Sequence, residues 1–154
     1  MVEALARRGR HTERRFAELR RHFAPSTVFM HLNAAEGALA MLAAAYVERV
    51  YAVDPYEALL RRPRLPSNLR LIFSGSRGFG LDVGTVDVAF SETLAADRLA
   101  AVCRSLAPGG LYLYVEGPRA SQARRALLEA GFARVRFPSF LGVFGRGPFV
   151  AAWR

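Results

Sequence analysis

An apolar run ending in a turn of small residues, Val28-Phe-Met-His-Leu-Asn-Ala-Ala-Glu-Gly37, is followed by an alanine-rich stretch and then by Val50-Tyr-Ala-Val-Asp54. A strand, a tight turn, a helix and a second strand closing on an acid form the layout of a nucleotide-cofactor site. Such a turn is normally built from glycines, because its backbone takes positive φ and the ligand passes where a Cβ would stand. Here Asn33 and Ala35 occupy turn positions and Gly37 alone is glycine. Asp54 offers a carboxylate that can accept hydrogen bonds from ligand hydroxyls. Its alternative role is to cap a helix starting after Pro55.

Regular alternation of apolar runs and helical patterns must position these residues. Strands are predicted at Val28 to Leu32, Val50 to Val53, Leu69 to Phe73, Val86 to Phe90 and Leu111 to Val115. Their near-continuous apolar character suits a parallel sheet covered on both faces. Helices are predicted over Val2 to Phe23, where Phe16, Leu19 and Phe23 recur at helical spacing before Pro25, and at Glu36 to Val47, Tyr56 to Leu60 and Ala95 to Leu106. A last helix, Ser121 to Ala130, closes at Gly131, and the strands Ala133 to Phe137 and Phe149 to Ala152 form a hairpin. The expected fold is a single α/β domain over residues 1–154, with residues 1–25 as an N-terminal helix and 26–154 as the core. The core is a Rossmann-like, doubly wound, mostly parallel seven-stranded sheet with a C-terminal antiparallel hairpin.

This order of elements resembles the class I S-adenosylmethionine-dependent methyltransferase family from Thr27 to Trp153. In that family the first strand ends in an acid, an apolar residue and a Gly-x-Gly-x-Gly turn. On that pattern His31 takes the acidic position, and Asn33, Ala35 and Gly37 take the three glycine positions. Asp54, followed by Pro55, falls where the family's carboxylate holds the ribose hydroxyls. Gly75-Ser76 lies where Gly-Asp often stands near the adenine. Val86-Asp-Val-Ala-Phe-Ser91 is similar to the fourth strand, Leu106-Ala-Pro-Gly-Gly110 to the turn into the fifth, and Leu127-Leu-Glu-Ala-Gly-Phe132 to the final helix-to-hairpin junction. The resemblance implies S-adenosylmethionine as cofactor, held by His31, Asn33, Ala35, Gly37, Asp54, Pro55, Gly75, Ser76 and Ser91. A dinucleotide-binding dehydrogenase fits less well, because Gly-x-Gly-x-x-Gly is absent.

The replaced residues differ in what they cost. Asparagine enters the left-handed region more readily than other non-glycine residues, so Asn33 preserves the turn. Ala35 brings a methyl group towards the space of the ribose and methionine portion. His31 removes a carboxylate that would face an ammonium group; a protonated imidazole repels that group, whereas a neutral one accepts a hydrogen bond from it. Ser76 exchanges an anionic acceptor for a hydroxyl. Weakened cofactor binding is the expected result.

Methyl transfer asks mainly for alignment, exclusion of water and, for weakly acidic acceptors, a base. Ligands of open α/β sheets lie at the carboxyl ends of the strands, so Ser91, Glu92 and Thr93 after strand four and Glu116 to Arg119 after strand five face the acceptor. Glu92 and Glu116 are the candidate bases; their alternative is a solvated or arginine-paired acid. The loop from Pro138 to Pro148 carries Phe140, Phe144 and Arg146 and either closes over a planar group or packs on the sheet edge. His11 and His22 lack further ligands at usable spacing, so no metal site is expected. Cys103 reads as a small core residue.

Charge defines the partner classes. The net charge is +9 and all 22 basic residues are arginine. Residues 1–25 carry seven arginines against three glutamates, and residues 58–81 carry five arginines and no acid. These zones suit RNA or an acidic protein, or are solvated surface. The longest apolar stretch, Gly37 to Val47, is too short to span a bilayer, so no membrane association is expected. One cysteine and an arginine-rich start interrupted by Glu3, Glu13 and Glu18 suggest a mature, soluble, cytoplasmic chain. Two functions remain open: methyl transfer from S-adenosylmethionine to an unidentified acceptor with weakened cofactor binding, or an inactive methyltransferase-fold module that binds RNA or an acidic protein.

Overall fold

Along each predicted strand, apolar side chains must alternate between two faces, and the computed structural model shows both faces covered. It describes residues 2–74, 78–138 and 148–154, without the side chains of residues 2–8 and 58. Strands β1 (Val28–His31), β2 (Arg49–Val53), β3 (Leu69–Ile72), β4 (Val86–Thr93), β5 (Leu106–Glu116), β6 (Arg134–Arg136) and β7 (Val150–Trp153) form one sheet. Its order is β3-β2-β1-β4-β5-β7-β6. Pairing is parallel from β3 through β5, and β7 runs antiparallel to both β5 and β6. This is the expected doubly wound sheet with an antiparallel end.

The period of two sorts the core. Met30, Leu32, Ala89, Tyr112 and Tyr114 pack on one face with α4 (Leu99–Ser105) and α5 (Ala120–Glu129). Phe29, Phe90 and Leu113 pack on the other with α1 (Val2–Leu19), α2 (Ala38–Ala43) and α3 (Glu57–Leu60). Phe29 and Phe90 are fully buried, each contributing roughly 1.5–3 kcal/mol of apolar transfer. Helix α1 brings Leu19 into this second layer and ends in a 3₁₀ turn, Arg20–His22, ahead of Pro25.

Two elements differ from the sequence expectation for identifiable reasons. The helix predicted from Glu36 begins only at Ala38, because Gly37 is left-handed and its N–H donates 2.7 Å to the Ala34 carbonyl. It also ends early, at Ala43, and Asn68 Nδ2 donates to the carbonyls of Ala44 (2.8 Å) and Val47 (3.0 Å). The turn predicted at Leu106 to Gly110 lies inside β5. Leu106 already pairs with Val86 and Leu111 with Val88, so Ala107–Gly110 bulge out of the ladder.

Between β1 and β4 the chain changes direction of travel across the sheet, having built β2 and β3 on one side and then β4 and β5 on the other. The carboxyl ends of these two strands form the crevice in which ligands of open α/β sheets bind. Among the described residues, no helix is long and apolar enough to cross a membrane.

Candidate functional site

His31 closes β1 on the same face as Phe29, as the strand period requires. Its ring is stacked at 6.3 Å from Phe29 and lies 5.6 Å from Phe90, with 7% of the residue exposed. Burial pushes its pKa from 6.5 down to about 4, so the imidazole is neutral near pH 7. Nδ1 is enclosed without a hydrogen-bond partner among the described residues. The repulsion expected of a protonated imidazole is therefore absent at neutral pH.

Beyond His31 the backbone enters the left-handed region at each of the three glycine-equivalent positions: φ is 51° at Asn33, 47° at Ala35 and 72° at Gly37. Alanine has no local side-chain hydrogen bond to favour this geometry, and holding it there costs about 1–2 kcal/mol. Hydrogen bonds to the end of β2 supply the compensation. Ala34 N–H donates to the Val53 carbonyl (2.9 Å), and Tyr56 N–H donates to the Ala35 carbonyl (2.7 Å). Ala35 also forms a parallel bridge with Pro55, which is buried. At Gly37 a Cβ would lie 2.4 Å from Leu59 Cδ2, so packing as well as φ demands glycine there.

A cavity of about 520 Å³ opens over this turn. His31, Asn33, Ala35 and Gly37 line it together with Glu36, Tyr56, Glu92 and the α1 residues His11, Thr12 and Arg15. Helix α1 thus covers the crevice. Arg15 is buried and holds Glu92 with both ends of its fork, Nε to Oε1 at 3.1 Å and Nη2 to Oε2 at 3.2 Å. Its Nη1 donates to Glu18 at 2.8 Å, and its guanidinium lies 5.5 Å from the centre of the Phe149 ring. His11 Nε2 is 3.7 Å from the same Glu92 carboxylate. Glu92 faces the cavity with each carboxylate oxygen engaged by the Arg15 guanidinium.

Asp54 sits at the end of β2 with φ 47°. Its Oδ1 accepts from Ser74 N–H at 2.7 Å, and its Oδ2 accepts from the Ser74 hydroxyl and from Arg98 Nη1. Burial alone would raise its pKa, but the hydrogen bonds from Ser74 and Arg98 and the charge of Arg98 outweigh burial and hold it below the usual carboxylate range. The same pairing with Asp54 raises the pKa of Arg98. Asp54 does not line the cavity.

The remaining sequence candidates are dispersed. Ser91 is fully buried on the face shared with Tyr112; its hydroxyl donates to the Thr93 carbonyl at 2.6 Å and lies 2.7 Å from the Tyr112 hydroxyl. Glu116 is exposed at the end of β5, paired in register with Thr93, and does not line the cavity. Gly75 and Ser76 lie outside the described residues, as do Phe140, Phe144 and Arg146. Among the described residues, no group of three His, Cys, Asp or Glu side chains is placed to hold a metal ion.

Sequence reading missed Arg15, Ser74 and Arg98. Arg15 carried one signal: it stands four residues before Leu19 on the buried stripe of α1. Nothing in the sequence marked Arg98, which reaches Asp54 from the 3₁₀ turn Ala96–Arg98 after β4.

No family model matches the sequence, and no curated protein does. Solved structures match with high similarity of shape. One is from the complex of the Haloferax volcanii Trm112 methyltransferase activator with a protein described as a methyltransferase, at TM-score 0.65 and 14% identity over 95% of this chain and 93% of that one. An S-adenosylmethionine-dependent methyltransferase from Mesorhizobium loti matches at TM-score 0.65 and 16% identity, over 86% of this chain and 93% of that one. Haemonchus contortus phosphoethanolamine N-methyltransferase 2, solved with S-adenosyl-L-methionine, matches at TM-score 0.68 and 14% identity over 83% of this chain, which spans only 38% of that enzyme. Strand order, the antiparallel end and these likenesses agree: the chain has the fold of the class I S-adenosylmethionine-dependent methyltransferases.

Proposed function

We propose that the chain binds S-adenosylmethionine at the carboxyl ends of β1, β2 and β4 and takes part in methyl transfer to an acceptor, with weaker cofactor affinity than a site with three glycines. The observation that carries this reading is the left-handed backbone at Asn33, Ala35 and Gly37 beneath a cavity at the β1–β4 crevice. Strained non-glycine backbone of this kind clusters at ligand sites, which supports the reading.

The residues present fit the group in part. Neutral His31 lines the cavity and brings no positive charge to repel an ammonium there. Asn33, Ala35 and Gly37 supply the backbone cradle, and Asp54, Pro55, Gly75 and Ser76 complete the proposed set; Ser91, fully buried against Tyr112, is left out of it. When bound, the cofactor supplies an electrophilic methyl on a sulfonium. The chain's own contribution is to align the acceptor, exclude water with α1 and present the Glu92 carboxylate, held by Arg15, towards the cavity. Glu116, exposed at the next strand end, is the second candidate for contact with the acceptor.

The engagement of Asp54 by Arg98 favours a second reading, an inactive methyltransferase-fold module whose arginine zones meet RNA or an acidic protein. The Haloferax relative, found in complex with an activator protein, supports a protein partner for this fold.

Titration calorimetry with S-adenosylhomocysteine, together with amide chemical-shift mapping, tests the first reading. Binding in the micromolar range that perturbs the amides of His31 to Gly37 is the expected outcome. No heat at millimolar ligand sinks it and leaves the module.

A further inference from the structure

We infer that Arg98 is an intramolecular competitor for the Asp54 carboxylate, so that a ribose diol reaches Asp54 only after the Arg98 guanidinium has left. The inference rests on the cofactor reading above and adds a specificity residue to it.

The geometry is that of a latch across the crevice. Arg98 belongs to the 3₁₀ turn following β4, whereas Asp54 and Ser74 follow β2 and β3. In the sheet β1 lies between β4 and β2, so the Arg98 side chain spans the carboxyl end of β1. Its Nη1 donates to both Asp54 Oδ2 and, at 2.7 Å, Ser74 Oγ. A carboxylate that receives a diol needs acceptor directions on both oxygens. At Asp54 one oxygen is bonded to Ser74 N–H, and the other already takes the Ser74 hydroxyl and the guanidinium. Oδ1 keeps one acceptor direction for a first hydroxyl, but the second hydroxyl of a diol meets an Oδ2 whose two directions are filled, and the guanidinium Nη1 is the group that can leave. Asp54, Ser74 and Arg98 lie outside the lining of the cavity over the β1 turn.

Release is feasible because a second acceptor is adjacent. Arg98 Nε already lies 3.3 Å from Asp97 Oδ2, and the Asp97 side chain is 77% exposed. The guanidinium can exchange one carboxylate for another instead of going unpaired. Asp54 and Arg98 are themselves 28% and 29% exposed, shielded enough for the pair to hold and open enough for salt and ligand to reach it.

The test is calorimetric titration of S-adenosylhomocysteine into the wild type, Arg98→Ala, Arg98→Gln and the double variant Arg98→Ala/Asp54→Ala, with thermal melts to confirm folding. Both single variants should bind about tenfold more tightly than the wild type. The double variant should lose that gain, because the freed carboxylate is then missing. Wild-type affinity should rise from about 0.05 M to about 0.5 M salt, as screening loosens the latch. Wild-type binding with equal or weaker binding by both folded single variants would overturn the latch and leave the cofactor reading standing. Absence of heat with every protein overturns both.

Discussion

At the β1 turn the residue types depart from a glycine pattern while the backbone takes the left-handed geometry such a pattern serves; at the end of β2 an acid stands at the strand end while most of its hydrogen-bonding capacity is in use. Asn33 and Ala35 stand in left-handed conformations that glycine would adopt freely, held there by hydrogen bonds from Ala34 N–H to the Val53 carbonyl and from Tyr56 N–H to the Ala35 carbonyl. Asp54 retains its carboxylate, yet Ser74 and Arg98 occupy it. The difference teaches that a motif's letters and its physical function separate in both directions. A degenerate turn still forms a cradle, and an intact acid is already engaged.

The sharpest challenge to this contrast is Gly37→Ala. If packing and φ at the turn have both been preserved, the new Cβ collides with Leu59 and strains the backbone, and stability in urea should fall by roughly 3–4 kcal/mol. A loss below about 1 kcal/mol would mean that the turn relaxes easily and its geometry is not enforced.

His31 offers a somewhat smaller test of the same region. Its folded pKa of about 4 lies below the ordinary 6.5, so in that window the unfolded chain binds a proton that the folded chain refuses. The associated stability is full above pH 6.5 and is lost as pH falls towards 4, amounting to roughly 3 kcal/mol. His31→Leu should flatten the stability profile over that window, measured by urea unfolding at several pH values. An unchanged profile would assign the titration to other groups.

Ala35→Gly should have the smallest effect and the opposite sign. Relief of the left-handed strain, reduced by glycine's greater unfolded-state freedom, should stabilise the protein by about 0.5 kcal/mol. Destabilisation would show that the Ala35 methyl is itself part of the packing.

Much of the sheet was legible in the sequence, because apolar strands and helical stripes impose their periods locally. The left-handed positions were legible as well: aligning Asn33, Ala35 and Gly37 with three glycines placed them at three positive φ values. Properties created by distant residues were not. The neutrality of His31 comes from enclosure beside Phe29 and Phe90, and Phe90 belongs to another strand. Glu92 read as a candidate base, but a buried Arg15 from α1 holds it. Ser91 read as a cofactor contact on position alone, and the strand period turns it to the face where Tyr112 takes its hydroxyl. Helix α2 was predicted too long because alanine-rich composition says nothing about the Asn68 amide that holds the Ala44 and Val47 carbonyls just beyond its end.

Arg15 and Glu92 meet across a sequence separation of 77 residues, and their contact fixes the roof of the cavity to its wall. During synthesis a chain that has emerged only through β3 contains the entire β1 turn and Asp54 but lacks Glu92 and Arg98. The order of emergence therefore differs from the order of completion: the cradle is among the first parts of the site to exist, and its roof and latch are anchored only when β4 and the turn after it have joined the sheet. Until then Arg15 has only Glu18, three residues away, to hold, while α1 can already pack on the stretch after α2 through Phe16 and Tyr46.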